Sequence, residues 1–221
     1  MSTLTTPALS TLLDRLFIEA AATQAALESR MEKLSPAERA AAFGKPEDYR
    51  AFYARTKDYH LAVSRETATL LYMLARSAKA TSIVEFGMSF GISTLHLAAA
   101  LEDNGGGRVI TTEFEQSKVA HARANFEAAG LAHRVEIREG DALETLARNL
   151  PDSIDLVLLD GAKSLYPRVL SLLAPRLHAG SLVIADNADW CPEYLAHVRA
   201  AGGDYLSVPF AEDVELSMKI R

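Results

Sequence analysis

From Thr81 onward, short apolar runs alternate with amphipathic segments, and this alternation constrains the fold more than any other feature of the chain. The apolar runs predict strands over residues 82–86, 108–112, 134–137, 154–159 and 181–185. Helical spacing of apolar residues predicts helices at about 93–101, 116–129, 142–150, 165–177 and 192–201. Such regular alternation predicts a parallel sheet with helices on both of its faces.

The end of the chain has a different pattern. Two further apolar runs, residues 205–209 and 214–220, are separated only by a short acidic turn. Parallel neighbours need a dozen or more connecting residues, so these two strands are predicted to pair as an antiparallel hairpin. The sequence therefore predicts an α/β, Rossmann-like fold, whose mostly parallel seven-stranded sheet ends in an antiparallel C-terminal hairpin.

The part before Thr81 is predicted to be helical. Apolar residues recur at three- and four-residue spacing over 8–33, and another helix is predicted over 65–78. Between them, Ser35-Pro36-Ala37-Glu38 has the pattern of a helix start, and Gly44-Lys45-Pro46 that of a helix end. We divide the chain into an N-terminal helical extension, residues 1–62, which we expect to supply lid and dimer contacts, and a ligand-binding domain, residues 63–221.

Composition excludes several classes of protein. The net charge of −6 argues against a nucleic-acid partner, because binding to phosphates needs a basic surface. No apolar run approaches the roughly 20 residues of a membrane span, and the polar N-terminus does not have the pattern of a signal peptide. The single cysteine, Cys191, excludes an internal disulfide framework. We expect a cytoplasmic protein that acts on a small molecule.

A glycine-containing segment follows the first predicted strand. It reads Glu85-Phe86-Gly87-Met88-Ser89-Phe90-Gly91-Ile92-Ser93 and leads into a helix. In open α/β sheets, ligands bind at this end of the strands. The dinucleotide fingerprint would require glycine at positions 89 and 92, where this chain has serine and isoleucine. The segment therefore favours a cofactor without phosphates over a dinucleotide.

Acidic residues follow the next two strands. Glu113, after the second strand, is suited to accept hydrogen bonds from the ribose hydroxyls of an adenosine ligand. Asp141, beyond the third strand, could reach an adenine. Taken singly, each residue could instead cap the helix that follows it. Their occurrence at successive strand ends favours a ligand site.

With these pieces in order, the sequence resembles the cation-dependent O-methyltransferases, the family of the catechol and caffeoyl-CoA O-methyltransferases. The resemblance runs from about residue 82 to residue 220 and is carried by residues 84–93, 112–113, 159–163 and 185–190. It implies a class I S-adenosylmethionine (SAM)-binding methyltransferase fold. The implied reaction is methyl transfer to a hydroxyl of a small, catechol- or phenol-like acceptor.

The resemblance also implies roles for individual residues. The implied SAM contacts are Glu85, Gly87, Ser89, Gly91, Ser93, Glu113, Asp141, Ala142 and Asp160. The implied ligands of a divalent cation are Asp160, Asp186 and Asn187, and Lys163 corresponds to the general base that acts on the acceptor hydroxyl. Trp190 is expected beside the acceptor. Some members supply a further acidic or polar residue near the C-terminus, for which Glu212, Asp213 and Glu215 are the candidates.

The chemistry of these residues agrees with that reading. Two carboxylates and an amide oxygen suit a hard cation such as Mg²⁺, Mn²⁺ or Ca²⁺, whereas zinc prefers nitrogen and sulfur ligands. Such a cation would orient the acceptor and make its hydroxyl more acidic. Lys163 lies three residues beyond Asp160, within reach of the same oxygen. The alternative is that Asp160 and Asp186 are ordinary strand-end residues that form turns or cap helices.

Other functions remain open at this stage. They are a metal-independent or N-directed methyltransferase, a nucleotide-binding oxidoreductase, and a SAM-binding scaffold without catalysis. His60, in an aromatic cluster with Tyr49, Tyr59 and their neighbours, could belong to a lid over the acceptor, although core packing is favoured for such a cluster. The apolar faces of the N-terminal helices predict a homodimer.

Overall fold

The computed structural model describes residues 2–35, 49–211 and 213–221, with the side chains of residues 51–53 excepted. The helix predicted between Ser35 and Gly44 lies outside the described residues, as does Glu212. The helices are α1 (Pro7–Glu32), α2 (Tyr49–Arg55), α3 (Arg65–Ser77), α4 (Ile92–Asn104), α5 (Gln116–Ala128), α6 (Ala142–Thr145), α7 (Tyr166–Leu173) and α8 (Pro192–Val198). The strands are β1 (Ser82–Phe86), β2 (Arg108–Glu113), β3 (Val135–Glu139), β4 (Ile154–Leu159), β5 (Leu177–Ala185), β6 (Tyr205–Phe210) and β7 (Val214–Lys219).

The seven strands form one sheet in the order β3-β2-β1-β4-β5-β7-β6. Strands β1 to β5 are parallel, whereas β7 pairs antiparallel with both β5 and β6. The predicted α/β fold and its C-terminal hairpin are confirmed. Strands β1 and β4 are neighbours. Strands β2 and β3 extend the sheet on the β1 side of this pair, and β5, β7 and β6 extend it on the β4 side. Residues that follow β1 and β4 therefore meet at one edge of the sheet.

The N-terminal helix α1 packs on one face of the sheet. Its residues Leu9, Leu13 and Leu16 are buried in the core on that face, as the predicted helical spacing requires. The chain start is fixed to α4, because the amide and hydroxyl of Thr3 both donate to the carboxylate of Asp103, at 3.0 and 2.6 Å. Within residues 2–35, 49–211 and 213–221, no helix has the length and apolar character that crossing a bilayer requires.

Two helices are shorter than the sequence predicts. The helix expected over 142–150 is reduced to α6, because the guanidinium of Arg138 binds the carbonyl oxygens of Thr145, Arg148 and Asn149. The helix expected over 165–177 ends at Leu173 and continues as a 3₁₀ turn through Pro175, which has no amide hydrogen for an α-helix. Strand β5 therefore begins at residue 177, not 181.

Candidate active site

A cavity of about 370 Å³ opens at the carboxyl ends of β1, β2 and β3. Six of the residues predicted to bind a cofactor line it: Gly87, Ser89, Glu113, Asp141, Ala142 and Asp160. Its wall also contains Tyr49, Arg50, Leu61 and Lys118 from other parts of the chain. The structure thus brings together most of the residues predicted for the cofactor, over more than 70 positions of sequence.

The loop after β1 lies directly against the loop after β4. Gly87 has φ +98°, and a Cβ placed on it would lie 2.6 Å from the carbonyl oxygen of Asp160 and from the amide nitrogen of Gly161. No other residue fits here without moving one of the two loops, since both the backbone angle and the space require glycine. Gly87 thus allows the cofactor cavity and Asp160 to share a wall.

Glu113, at the end of β2, is held by the backbone. Its carboxylate accepts hydrogen bonds from the amides of Ser89, Phe114 and Glu115, at 3.0, 3.0 and 2.9 Å. Burial raises the pKa of this carboxyl, while the amide donors and the nearby Lys118 act in the opposite direction. The carboxylate is therefore fixed in the cavity wall, where it can receive further hydroxyl donors.

Asp141 caps α6 and also joins the N-terminal region to the cavity. Its carboxylate accepts from the amide of Leu143 at 2.9 Å and from the Tyr49 hydroxyl at 2.8 Å, and it forms an ion pair with Arg50. Burial would raise the pKa of Asp141, but the hydrogen bonds and the charge of Arg50 outweigh it and lower the pKa. The capping role and a position in the cavity wall are therefore combined in one residue.

Glu85 and Ser93 lie behind the cavity wall. Glu85 is fully buried, and its carboxylate accepts from the hydroxyls of Ser93, Thr94 and Thr111. Burial raises its pKa against these three donors. Here the structure departs from the implied SAM contacts, because Glu85 supports the start of α4 and does not line the main cavity. Gly91, with φ +89°, is likewise at the start of α4, where a Cβ would collide with the ring of Phe126.

Lys118 lines the cavity and was missed by the sequence analysis. Its side chain is 3% exposed, and its ammonium group donates to the Ser89 hydroxyl at 3.2 Å. Desolvation lowers the pKa of Lys118, opposed first by Glu113 and then by Asp160. A lysine on an amphipathic helix is usually solvated. Lys118 is four residues from Ala122 and eight from Phe126, both of which are buried. This helical spacing was the available signal that Lys118 lies on the buried face of α5.

His60 packs beside the loop after β1. Its ring is 7% exposed and stacks on Phe90 with 4.1 Å between the ring centroids. Its backbone oxygen accepts a hydrogen bond from the Ser89 hydroxyl. Burial lowers the pKa of His60, with Glu19 acting in the opposite direction. The histidine thus supports the loop after β1 from the N-terminal side. Two other members of the predicted aromatic cluster, Phe52 and Tyr53, have side chains that lie outside the described residues.

A compact charged cluster follows β4 and β5. The ammonium group of Lys163 lies 3.0 Å from Asp160 Oδ1 and 3.7 Å from Asp186 Oδ2. Desolvation raises the pKa of both carboxyls; Lys163 opposes this at Asp160, and at Asp186 the charge of Asp160 adds to the rise. Two carboxylates buried side by side favour a positive charge between them.

Asn187 lies at the edge of this cluster. Its backbone is left-handed, with φ +46°, a conformation that asparagine adopts more readily than most residues. Within the described residues, no three His, Cys, Asp or Glu side chains are grouped to hold a metal. Asn187 directly follows Asp186, and its Nδ2 donates to the carboxylate of Asp213 at 2.7 Å. Trp190 follows in the next turn and is 62% exposed.

Tyr166 connects the end of β4 to the loop after β5. Its hydroxyl lies 2.7 Å from the backbone oxygen of Leu159 and 2.7 Å from that of Asp186, and the side chain is fully buried. This contact ties the end of β4 to the end of β5 directly beneath the carboxylates. The role of Tyr166 could not be predicted from the sequence, because its partners are backbone atoms at the ends of two different strands.

Comparison with known proteins agrees with this geometry. A family model described as O-methyltransferase matches residues 46–206, which is most of the chain. The chain belongs to this O-methyltransferase family.

Curated relatives and a solved structure of the same kind extend the comparison. A catechol O-methyltransferase of Niastella koreensis is 32% identical over 130 residues, and caffeoyl-CoA O-methyltransferase 2 of Petunia hybrida is 29% identical over 135 residues. The stretch matched to the Niastella protein covers 58% of this chain and 58% of that protein. The stretch matched to the Petunia protein covers 59% of this chain and 55% of that protein. The O-methyltransferase TomG of Streptomyces achromogenes, in complex with SAM, is 26% identical with a TM-score of 0.65, covering 80% of this chain and 90% of that one.

Proposed function

We propose that this chain is a SAM-dependent O-methyltransferase that methylates a hydroxyl of a small, catechol- or phenol-like acceptor. The observation that carries the proposal is the place of Asp160. This residue lines the cofactor cavity beside Gly87, and its carboxylate also holds Lys163. A methyl donor in the cavity and an acceptor oxygen at Lys163 would therefore be neighbours. The catechol and caffeoyl-CoA names of the relatives support this choice of acceptor.

The residues of the cavity fit SAM. When bound, SAM supplies a methyl group on a positively charged sulfur. Glu113 is fixed by three backbone amides and would accept hydrogen bonds from the ribose hydroxyls. Asp141 and Ala142 would lie beside the adenine, and Gly87 and Ser89 would lie beside the methionine part. Holding donor and acceptor in line would supply several kcal/mol of the rate enhancement, out of roughly 7–11 for ideal alignment.

The cluster after β4 and β5 fits a divalent cation. Asp160 and Asp186 are buried together with raised pKa values, and Asn187, the next residue along the chain, could add an amide oxygen. These are oxygen ligands of the kind that Mg²⁺ and Mn²⁺ prefer. A bound Mg²⁺ would make the acceptor hydroxyl more acidic and orient it. We therefore include a cation among the cofactors of the proposed enzyme.

Lys163 is the proposed general base. Its Nζ is held by Asp160 and faces Asp186. An acceptor that binds at these two carboxylates would therefore place its hydroxyl oxygen close to Nζ. With the charge of both carboxylates balanced by a cation, the ion pairs that hold Lys163 as an ammonium would be weakened. Once Nζ has lost one proton to solvent, the neutral amine could take the hydroxyl proton of the acceptor. Trp190, exposed beside Asn187, would contact the ring of the acceptor.

Calorimetric titration of SAM and then of catechol tests this proposal, in Mg²⁺ and again in EDTA, with product formation followed by mass spectrometry. We expect SAM to bind in both conditions, and catechol to bind and be methylated only with Mg²⁺. Lys163→Met should abolish methylation and leave SAM binding intact, whereas the exposed Lys33→Met serves as the matched control. Absence of SAM binding to the unmodified protein would refute the proposal.

A metal-independent methyltransferase is the second candidate, and one observation favours it. The ammonium of Lys163 already lies between the two carboxylates, where it provides a positive charge. In that case Asp186 and Asn187 would position the acceptor, which could then be an amine. Catechol binding and turnover that are unaffected by EDTA would identify this alternative.

We also propose that the protein is a homodimer and is cytoplasmic. Exposed apolar side chains such as Ile18 of α1 and Met73 of α3 support a contact through the N-terminal helices. Light scattering should give twice the chain mass of 24.0 kDa, and a mass equal to one chain would refute the dimer. The single cysteine is compatible with a reducing cytoplasm, and the cytoplasmic location stays a prediction.

A further inference from the structure

The turn between β6 and β7 reaches the charged cluster through Asp213. The carboxylate of Asp213 accepts a hydrogen bond from Nδ2 of Asn187, at 2.7 Å. Its backbone oxygen accepts a second bond from the amide of Ala188, at 2.8 Å. Two bonds therefore connect Asp213 to adjacent residues at the end of β5, one through its side chain and one through its backbone.

The side-chain bond fixes which way the Asn187 amide faces. A carboxylate only accepts hydrogen bonds, so it holds the NH₂ group of the amide and repels the oxygen. With Nδ2 turned toward Asp213, the amide oxygen is turned away from it. A hard cation binds an asparagine through this oxygen and not through the nitrogen. The contact with Asp213 therefore occupies the nitrogen end of the amide and leaves its oxygen end available to a cation.

The backbone of Asn187 cannot make this selection. Its left-handed conformation, φ +46° and ψ +44°, sets where the side chain begins, but the two ends of the amide are nearly equal in size. Only a charged or hydrogen-bonding neighbour distinguishes them. Asp213 is that neighbour, and it comes from the hairpin, a part of the fold that contributes no other residue to the proposed cation ligands.

We propose that Asp213 is a positioning residue that directs the amide oxygen of Asn187 toward the cation site, so that the C-terminal hairpin takes part in cation binding. This inference rests on the cation of the proposed function. Outer partners of metal ligands are commonly worth about 10- to 100-fold in metal affinity. We expect an effect in this range when the acceptor on Asp213 is removed.

Mn²⁺ titration of the full chain without SAM, followed by electron paramagnetic resonance, tests the inference independently of turnover. Asp213→Ala should weaken Mn²⁺ binding about 10-fold or more. Asp213→Asn offers an oxygen that can accept from Asn187 but also an NH₂ group that can donate to it, so it selects the orientation less strictly. Its Mn²⁺ affinity should lie between those of Asp213→Ala and the unmodified protein. Asp204→Ala removes the same charge from an exposed position directly before β6, where the carboxylate faces Lys219, and should change neither affinity. The dissociation constant of SAM should be the same in all four proteins.

Three results would overturn the inference. Unchanged Mn²⁺ affinity in Asp213→Ala would show that the contact does not position the ligand. An equal loss in Asp213→Asn would make charge or direct ligation responsible, and not amide orientation. A parallel loss of SAM binding would indicate a general structural role. If Asp213→Ala does not fold, Asp213→Ser replaces it, because the shorter hydroxyl cannot span the contact. Failure of the unmodified protein to bind Mn²⁺ would instead refute the cation of the proposed function.

Discussion

Two parts of the site satisfy their carboxylates in different ways: Glu113 at the cofactor end, and Asp160 with Asp186 at the proposed cation end. At the cofactor end, Glu113 is surrounded by backbone amides that belong to the fold. At the cation end, Asp160 and Asp186 lie together, and the ammonium of Lys163 is their close positive charge. Backbone amides are fixed partial charges, whereas an ammonium is mobile and can be replaced. Glu113 is thus held by the backbone before any ligand arrives, whereas the charge that balances Asp160 and Asp186 could be exchanged for the proposed cation.

The largest effect is expected from Asp186→Asn. This change removes one of the paired carboxylates, and should lower methylation of catechol in Mg²⁺ about 100-fold or more. The dissociation constant of SAM should change less than about threefold, because Asp186 does not line the cofactor cavity. Steady-state turnover and calorimetry measure the two quantities. Asp189→Asn, at an exposed position three residues on, is the control. An equal loss of SAM binding would break the comparison between the two ends.

Glu113→Gln tests the other end. The amide cannot accept as many hydrogen bonds as the carboxylate, and hydrogen bonds to a charged group contribute about 1.5–3 kcal/mol. We therefore expect SAM to bind roughly 10- to 100-fold more weakly, with Mn²⁺ binding unchanged. Glu115→Gln alters the neighbouring helix cap and should leave both affinities alone. Loss of Mn²⁺ binding in Glu113→Gln would contradict the separation of the ends.

Gly87→Ala should affect both ends at once. A methyl group here would meet the backbone of Asp160 and Gly161 at 2.6 Å, in addition to the strain of a positive φ. We expect several-fold weaker binding of both SAM and Mn²⁺, and a lower melting temperature from about 1–3 kcal/mol of strain. Gly105→Ala is a matched control, since it has φ +90° with nothing within 4 Å. If both variants behave alike, the contact between the two loops has no role of its own.

The smallest effect is expected from Tyr166→Phe. Loss of the hydroxyl leaves the backbone oxygens of Leu159 and Asp186 without this donor, at a cost of about 1–2 kcal/mol. The melting temperature should fall by about 2–4 °C per kcal/mol, and Mn²⁺ should bind a few-fold more weakly. Tyr205→Phe, at another buried tyrosine, is the control. Weaker SAM binding with unchanged Mn²⁺ binding would contradict the expectation that Tyr166 supports the Asp160–Asp186 cluster.

Periodicity predicted the sheet and its hairpin because strand period and connection length are local properties of the chain. Helix ends were less predictable. Arg138 takes carbonyl oxygens that would have continued α6, and Arg199, expected inside a helix over 192–201, forms an ion pair with the buried Glu215 just after α8 ends. Both guanidinium groups act across the fold. Their effect depends on tertiary contacts that spacing along the chain does not contain.

The same limit applies to the site. Glu113 and Asp141 were singled out because they lie just beyond predicted strands. Asp160 and Asp186 also follow predicted strands, but their roles were implied by the resemblance to a known family. Lys118 and Asp213 were not assigned their contacts, since one reaches Ser89 from a helix and the other reaches Asn187 across 26 positions. Residues at strand ends can be read from a single sequence, whereas their supporting partners depend on how helices and hairpin are placed.

The order of the strands has a consequence for how such enzymes could diversify. Because the sheet extends outward from β1 and β4, the segments after β1, β2 and β3, which supply most of the cavity wall, all precede β4 and β5 in the chain. An exposed turn around residues 151–153 separates the two halves. Recombination at this turn would exchange Asp186 together with Asp160, which belongs to both ends, while the first half of the cavity wall is inherited intact. Compatibility of the two halves would then depend chiefly on the β1–β4 pairing and on Gly87, which lets the loops after β1 and β4 touch.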